Sequence, residues 1–478
     1  MRKTLIYRFL RLLFLVILAA WIFVELSTIF TPKRDKLPWN TTSKIKGFYE
    51  LEDNSIDVVF LGSSHAFCTF NPAIFYKENG IKGYVFASNE QPLWLSYHYL
   101  IEVLKTQKPE VIVLETFYIS ENNEYKKDGV NKLSLDDLPL TLNKIKAQNV
   151  AFEDNLEGVN PFYNYHNRWK EFNITDFKSK ENGLLKGFTP LYKTTPKVIE
   201  NFNVTKADLP VKSRLYLDKI IELANDNNIP LVLTYAPYNI NASRNQHIKT
   251  VEEIALSQGI PFINYTDTTL LKTIKFDAQV DMEGGHTNVY GAQKVSEHLS
   301  NYLDNEFNFN PIKKSKDYEV LTSRFYAADS LKKIDDFDDY LNYLSNMDVY
   351  VAVTAMDAIN KSTSIAFEKL GSQISFKDKF RVSYTGLFNN YRGYVEEKID
   401  TMAIINKMQP NDKRNFYIRM ESASFNTGNY SKIYINNVDQ LINKSKRGFN
   451  IVVYDAVTNQ ILDTASFDTF ETGNWSRY

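Results

Sequence analysis

The sequence predicts an α/β fold, a parallel sheet between two helical layers, held by one N-terminal transmembrane helix and followed by a second, β-rich domain. Three observations predict it. Short apolar, β-branched runs alternate with amphipathic stretches between about positions 55 and 264, the pattern of strands and helices covering both faces of a parallel sheet. An apolar stretch with a basic start occupies the first 30 positions. Beyond the polar segment Pro311-Ile-Lys-Lys-Ser-Lys the pattern shifts to shorter runs with two-residue alternation. A chain of 478 residues also exceeds what one core normally organises. The expected boundaries are 1–36 for the cytoplasmic tip and anchor, 45–310 for the α/β domain and 318–478 for the last domain.

Arg2, Lys3, Arg8 and Arg11 precede an apolar stretch that runs from Leu12 to Phe30, broken by Glu25 and a Ser-Thr pair. Its uninterrupted part is shorter than the roughly 20 residues of a span. Extension back through Leu5, with the arginines snorkelling to the headgroups, completes one. No small-residue cleavage pattern follows Ala19-Ala20, since Trp21, Phe23 and Glu25 come next. The expectation is an uncleaved anchor, with a cleaved signal peptide as the alternative. The positive-inside rule places the N-terminus in the cytoplasm and the rest outside.

In the α/β domain the run Asp57-Val-Val-Phe-Leu61 leads into Gly62-Ser63-Ser64-His65. A second strand is expected at 83–87, a helix at 94–105, a third strand at 110–114, and a helix at 212–228. Strand 231–235, helix 247–257 and strand 261–264 follow. Active sites of such sheets lie at the carboxyl ends of the strands, where Gly62-Ser63-Ser64 falls. A serine there needs a base within hydrogen-bond reach. Of six histidines, His286 stands in the most suggestive context, Asp281-Met-Glu283-Gly-Gly-His286-Thr-Asn288. A carboxylate three residues before a histidine on a tight turn can accept its Nδ1–H and orient the ring. Glu283 is the expected acid, Asp281 the alternative. His65 is expected to neighbour the nucleophile, and Cys68 to be a buried small hydrophobe.

Together the two ends resemble the SGNH/GDSL hydrolase superfamily, over about residues 50–305. The resemblance implies a flavodoxin-like three-layer domain in which Ser64 is the nucleophile, His286 the base and Glu283 the acid. With the anchor in front, the chain is similar to the D-alanine transfer proteins of teichoic-acid modification and to exported polysaccharide acetyltransferases. That likeness implies a serine esterase or O-acyltransferase acting on cell-envelope or exported polysaccharide, with a multipass membrane acyltransferase as acyl donor. The family's oxyanion hole uses the serine N–H, a glycine and an asparagine. Here the corresponding positions read Ser88-Asn89-Glu90 and Glu115-Thr116-Phe117, leaving Ser64 and Asn89 as the expected donors.

Residues 119–205 form an insertion too long for an ordinary loop. Its cluster Asn160-Pro-Phe162-Tyr163-Asn-Tyr165-His166-Asn-Arg168-Trp169 suits a lid or an acceptor-sugar subsite, with His166, Arg168 and Trp169 as contacts alongside His65. A small helical subdomain with its own aromatic core is the alternative. In the last domain, Leu370-Gly371-Ser372, Arg447-Gly448-Phe449-Asn450 and Phe467-Asp468-Thr469 resemble pieces of the ILEI (interleukin-like EMT inducer) domain in permuted order. That resemblance implies a glycan-binding module, with Arg447 and Asp468 as its polar contacts. The alternative for that pair is a structural salt bridge.

Lys and Arg number 56 against 57 Asp and Glu, a balance that lacks the concentrated positive field nucleic acid demands. Cys68 is the one cysteine, so no intramolecular disulfide forms. A cysteine-poor exported chain rich in Lys, Asn and Ile fits a Gram-positive bacterium. No phosphate-binding loop or metal-ligand spacing is present, so no cofactor or metal is expected. The rival to the esterase is a non-catalytic glycan-binding or envelope-assembly protein with a degenerate catalytic domain.

Overall fold

The computed structural model describes residues 2–34, 39–120, 134–151, 164–172, 176, 183–200, 202–307, 309, 314–357, 359, 367–377, 379–410, 416–442, 444–470 and 475–478. They form two compact units, Met1–Lys313 and Lys314–Tyr478.

The first unit opens with helix α1 (Arg2–Phe30). Its segment Ile6–Phe30 is 25 residues long, exposed over most of its length, and long and apolar enough to cross a membrane. At 1.5 Å per residue it measures about 37 Å, against a hydrocarbon core of about 30 Å. After α2 (Thr41–Tyr49) come β1 (Val58–Gly62), α3 (Ser64–Thr69), α4 (Pro72–Asn79), β2 (Gly83–Ala87), α5 (Leu93–Thr106) and β3 (Val111–Glu115). Then follow α6 (Leu142–Ala151), α7 (Val211–Asp226), β4 (Leu231–Tyr235), α8 (Ala242–Gln258), β5 (Phe262–Asn264) and α9 (Thr268–Thr273). The small hairpin β6 (Met282–Glu283) and β7 (His286–Thr287) leads into α10 (Val289–Phe307).

Strands β1 to β5 form one sheet in the order β2-β1-β3-β4-β5, every pairing parallel. Strands buried on both faces must be apolar throughout, hence the unbroken runs in the sequence. Val59, Leu61, Ile112, Leu114 and Leu233 face a core shared with α5, α7 and α8. Val58, Phe60, Val111, Val113 and Val232 face the opposite core, with Phe67, Phe75, Val295 and Leu299 from α3, α4 and α10. This is the expected α/β three-layer arrangement. Chain direction away from β1 reverses between β1 and β3, the switch point where doubly wound sheets place their ligands. Helix α8 begins five residues before its expected start because the Asn241 side chain accepts from Arg244 N–H at 2.9 Å and caps it.

Helix α6, within the insertion, is bound to this core. Asn143 of α6 donates to His98 O at 2.9 Å and to Glu102 Oε1 at 2.7 Å, both on α5.

The second unit carries α11 (Lys316–Leu331) and α12 (Phe337–Ser345), then strands β8 (Tyr350–Met356), β9 (Ser383–Asn389), β10 (Tyr394–Asp400), β11 (Ile404–Met408), β12 (Ile418–Ala423), β13 (Tyr430–Ile435), β14 (Val438–Asp439), β15 (Gly448–Asp455) and β16 (Gln460–Phe467). They form two antiparallel sheets, β10-β9-β8-β15-β16 and β11-β12-β13-β14. Two-residue alternation divides the larger sheet between two cores. Val351, Val353, Ile451 and Val453 pack against the helices. Ala352, Val452 and Tyr454 pack with Ile418, Met420 and Ile433 of the smaller sheet.

At one end of this unit Arg324 of α11 is buried with two carboxylates, 3.2 Å from Asp348 and 3.0 Å from Asp455. Its Nε lies at ion-pair distance from Asp455 but does not point at the oxygen as a hydrogen bond would. Arg392 holds Asp348 from the other side with bonds of 2.6 and 2.7 Å. Burial pushes the Asp348 carboxyl up, but Arg392 and Arg324 outweigh it and hold the group below the usual carboxylate range.

Candidate active site

The Gly62–Ser64 turn follows from local chemistry. Gly62 ends β1 at φ +143°, and a Cβ there would lie 2.8 Å from Glu115 Cβ and 3.1 Å from Ala66 Cβ. Only glycine lets the chain turn between β3 and α3. Ser63 caps α3, its hydroxyl accepting from His65 N–H at 3.2 Å. Ser64 is then the first residue of the helix, directly above the sheet's carboxyl edge.

Its partner arrives on the two-residue hairpin. Gly284 adopts φ +62°, which the tight turn requires, and Glu283 and His286 pair directly across it. His286 Nε2 lies 2.9 Å from Ser64 Oγ. Two residues 222 positions apart thus meet at hydrogen-bond distance. Neighbouring contacts fix the approach: Thr287 donates to Cys68 O at 3.0 Å and meets Thr69 Oγ1 at 2.8 Å. Ser296 of α10 donates to Thr69 O at 3.1 Å and accepts from Asn71 N–H at 3.0 Å.

The two expected acids are placed differently from that expectation. Glu283 Oε2 accepts from Lys193 N–H at 2.7 Å. Asp281 is buried and accepts from Lys294 Nζ and from Asp277 N–H, both at 2.6 Å. Among the described residues, the hydrogen bond of the His286 ring is the one to Ser64. Rings rather than a carboxylate flank it: His65 stacks at 4.6 Å between centroids, and Trp39 meets it edge-on at 5.8 Å. Burial pushes His286 down to about 4, so the imidazole is neutral and able to accept a proton at neutral pH.

His65 is buried against Phe117 at 3.5 Å, and Arg244 lies over the far side of that ring at 4.3 Å. Burial first, then His286 and Arg244, hold its pKa well below the ordinary histidine value. Its Nδ1 has no hydrogen-bond partner among the described residues. His65 is thus a buried neighbour of the His286 ring. Asn89 lies two residues past β2, the strand paired with β1. Its buried Oδ1 also has no partner among the described residues.

Arg168 and Trp169 lie in a 3-10 turn, His166–Glu171, beside the end of α1. Arg168 donates to Phe30 O at 2.6 Å and to Asp176 at 2.7 Å, so its guanidinium is committed to structure. Trp169 is exposed, with Lys170 over its ring. Asn160, Phe162 and Tyr163 of the same sequence cluster lie outside the described residues.

No protein-family model matches this sequence, and no curated protein matches it. The site is therefore read from its own geometry.

Two residues that sequence reasoning passed over border the site. Trp39, just before α2, meets the rings of His286 and Phe67 edge-on. Glu115, the last residue of β3, lies beneath the nucleophile turn. It accepts from Ser63 Oγ at 3.3 Å and from Phe117 N–H at 2.8 Å. Burial raises it to about 7, opposed by those bonds. Since the folded pKa is raised, the stability this group contributes is full below about pH 4.5. It falls away as pH rises through about 7. Glu115→Gln is expected to remove that slope. Melting temperature followed from pH 4 to 9 should decline less through neutrality in the variant than in the parent. Nearby, Lys44 is fully buried, donating to Asn40 Oδ1 at 2.7 Å above the Phe67 face, and burial pushes it down to about 7.

In the second unit Arg447 pairs with Asp468 through two bonds from Nε, at 3.1 and 3.0 Å, and one from Nη2. The guanidinium lies 4.5 Å from the Phe470 ring centre. The pair is thus a salt bridge, at a strand end, and it borders two exposed rings, Phe470 and Tyr478.

Proposed function

We infer that this chain is a membrane-anchored serine esterase or O-acyltransferase of the SGNH type, acting on a cell-envelope or exported polysaccharide. The observation that carries this reading is the 2.9 Å contact between His286 Nε2 and Ser64 Oγ at the carboxyl edge of a parallel sheet. In the reaction Ser64 Oγ attacks the ester carbonyl while its proton passes to His286 Nε2. The carbonyl oxygen becomes an oxyanion facing the Ser64 N–H in the first turn of α3, with Asn89 as second donor. Collapse releases the alcohol, which takes the proton from Nε2, and leaves Ser64 acylated. Water then gives hydrolysis; a sugar hydroxyl gives transfer, with a multipass membrane acyltransferase as the source of acyl groups. Glu283, cross-strand from His286, is the carboxylate assigned to the imidazolium, and in this structure it is held by Lys193 N–H.

The basic residues ahead of α1 favour a cytoplasmic N-terminus and an external catalytic unit. In the second unit, Arg447, Asp468 and the adjacent exposed rings suit the face and hydroxyls of a sugar.

The full chain in detergent, treated with a fluorophosphonate, should become labelled at Ser64, and p-nitrophenyl acetate should be cleaved. Labelling absent in Ser64→Ala but present in the parent supports the reading. No labelling of the parent, with the chain folded, would instead favour the non-catalytic glycan-binding alternative.

A further inference from the structure

We propose that the 3-10 turn His166–Glu171 is a second membrane contact, which seats the catalytic unit on the lipid–water interface beside the foot of α1. Helix α1 ends at Phe30. Its apolar length of about 37 Å exceeds the hydrocarbon core by several ångströms, which brings Phe30 to headgroup depth. Arg168 donates to the carbonyl of that residue at 2.6 Å, and Phe172 meets the Phe30 ring edge-on at 4.7 Å. The turn is therefore fixed at the level where the anchor leaves the bilayer. One residue on, Trp169 is 60% exposed with Lys170 over its ring at 5.6 Å. A tryptophan with a cation over it suits the headgroup layer, where an indole buries its body and a lysine keeps its charge in water.

The seat is built into the fold. Tyr165 donates to Asp136 Oδ2 at 2.6 Å, and Arg34, just past the anchor, pairs with the same carboxylate at 3.4 Å. Thr42 accepts from Arg34 N–H at 2.9 Å and donates to Asp137 at 2.7 Å. Anchor exit and turn thus share one acidic pair, which limits their swing. The chain from Phe30 to Trp39, whose ring meets His286, spans at most about 30 Å. With the Trp39–His286 ring contact of 5.8 Å and the 2.9 Å from His286 to Ser64 added, a seated unit holds Ser64 within roughly 45 Å of the bilayer, and the substrates it serves are those presented near the membrane surface. The seat depends on α1 spanning a membrane but not on the chemistry of Ser64.

The test places the full chain in phosphatidylcholine–phosphatidylglycerol nanodiscs and compares the parent with Trp169→Phe. Lipid brominated near the headgroup end of its chains is then substituted for plain lipid. The emission difference between the two proteins reports Trp169 alone, and it should be lost with brominated lipid. Trp21, within α1, serves as the reference through Trp21→Phe and lipid brominated deeper in the chain. If Trp21 is quenched and the Trp169 difference survives unchanged, the ring faces water or protein and the proposal fails, while the anchor and the esterase reading stand.

Discussion

Replacing His286 by alanine is expected to lower ester turnover by about 10⁴-fold or more, with Ser64→Ala giving a similar loss. The two losses should not add, because the two side chains act as one unit. The pH dependence is the sharper measurement. Burial holds the imidazole down to about 4, and its base form is the neutral one. Hence kcat/KM of the parent should climb as pH rises through about 4 and stay level across neutrality. An ordinary histidine base would put that limb between pH 6 and 7. Its position separates two arrangements. If the limb lies near 4, the free enzyme works as described, with Glu283 tied to Lys193 N–H. If it lies near 6 or above, a carboxylate has turned to Nδ1 and stabilises the imidazolium. Measuring kcat/KM for p-nitrophenyl acetate from pH 3.5 to 8, corrected for spontaneous hydrolysis, decides it.

The largest stability effect is expected in the second unit. Arg324→Leu keeps much of the volume but leaves Asp455, fully buried, without its cation. Removing one partner of a buried pair costs about 3–5 kcal/mol, because the remaining charge stays desolvated. Melting of that unit should fall by roughly 10 °C. Asp348 suffers less, since Arg392 still holds it. Arg324→Leu combined with Asp455→Leu should recover part of the loss, by removing the stranded charge together with its partner. A double variant no better than the single one would show that the ion pair is not the cause. Because Asp348 is held below its ordinary pKa, its contribution is present above about pH 4 and is lost as pH falls through the folded value.

Much of this architecture was legible because local chemistry dictates it. The runs 57–61, 83–87 and 231–235 read as buried strands, being short and, Asp57 and Thr234 apart, apolar or aromatic. Gly62-Ser63-Ser64 at the end of the first of them announced a turn, and Gly284-Gly285 a tight turn that would present His286, though not the two-residue strands on either side of it. The acid was harder to read. Three-residue spacing rightly puts Glu283 beside His286, but the carboxylate answers to Lys193 N–H, a donor 90 positions away on an irregular segment. Trp39 was invisible as a site residue for the same reason, since nothing local marks a residue between α1 and α2 as a neighbour of His286. Glu115 looked like a missing asparagine when its work is to support the turn from below. Arg168 and Trp169 drew attention by composition, and only the contact with Phe30 reveals which surface they serve.

The order of the chain gives the site a timetable. A protein delivered across a membrane from its N-terminus exposes Ser64 early, among the first residues to emerge. The hairpin with His286 and the helix that clamps it, through Ser296 on Thr69 and Asn71, come at the very end of the first unit. Until that helix docks, the serine has no base. On the proposed reading, a chain exported in this order would be chemically silent until α10 docks, and a copy cut short before α10 would stay so.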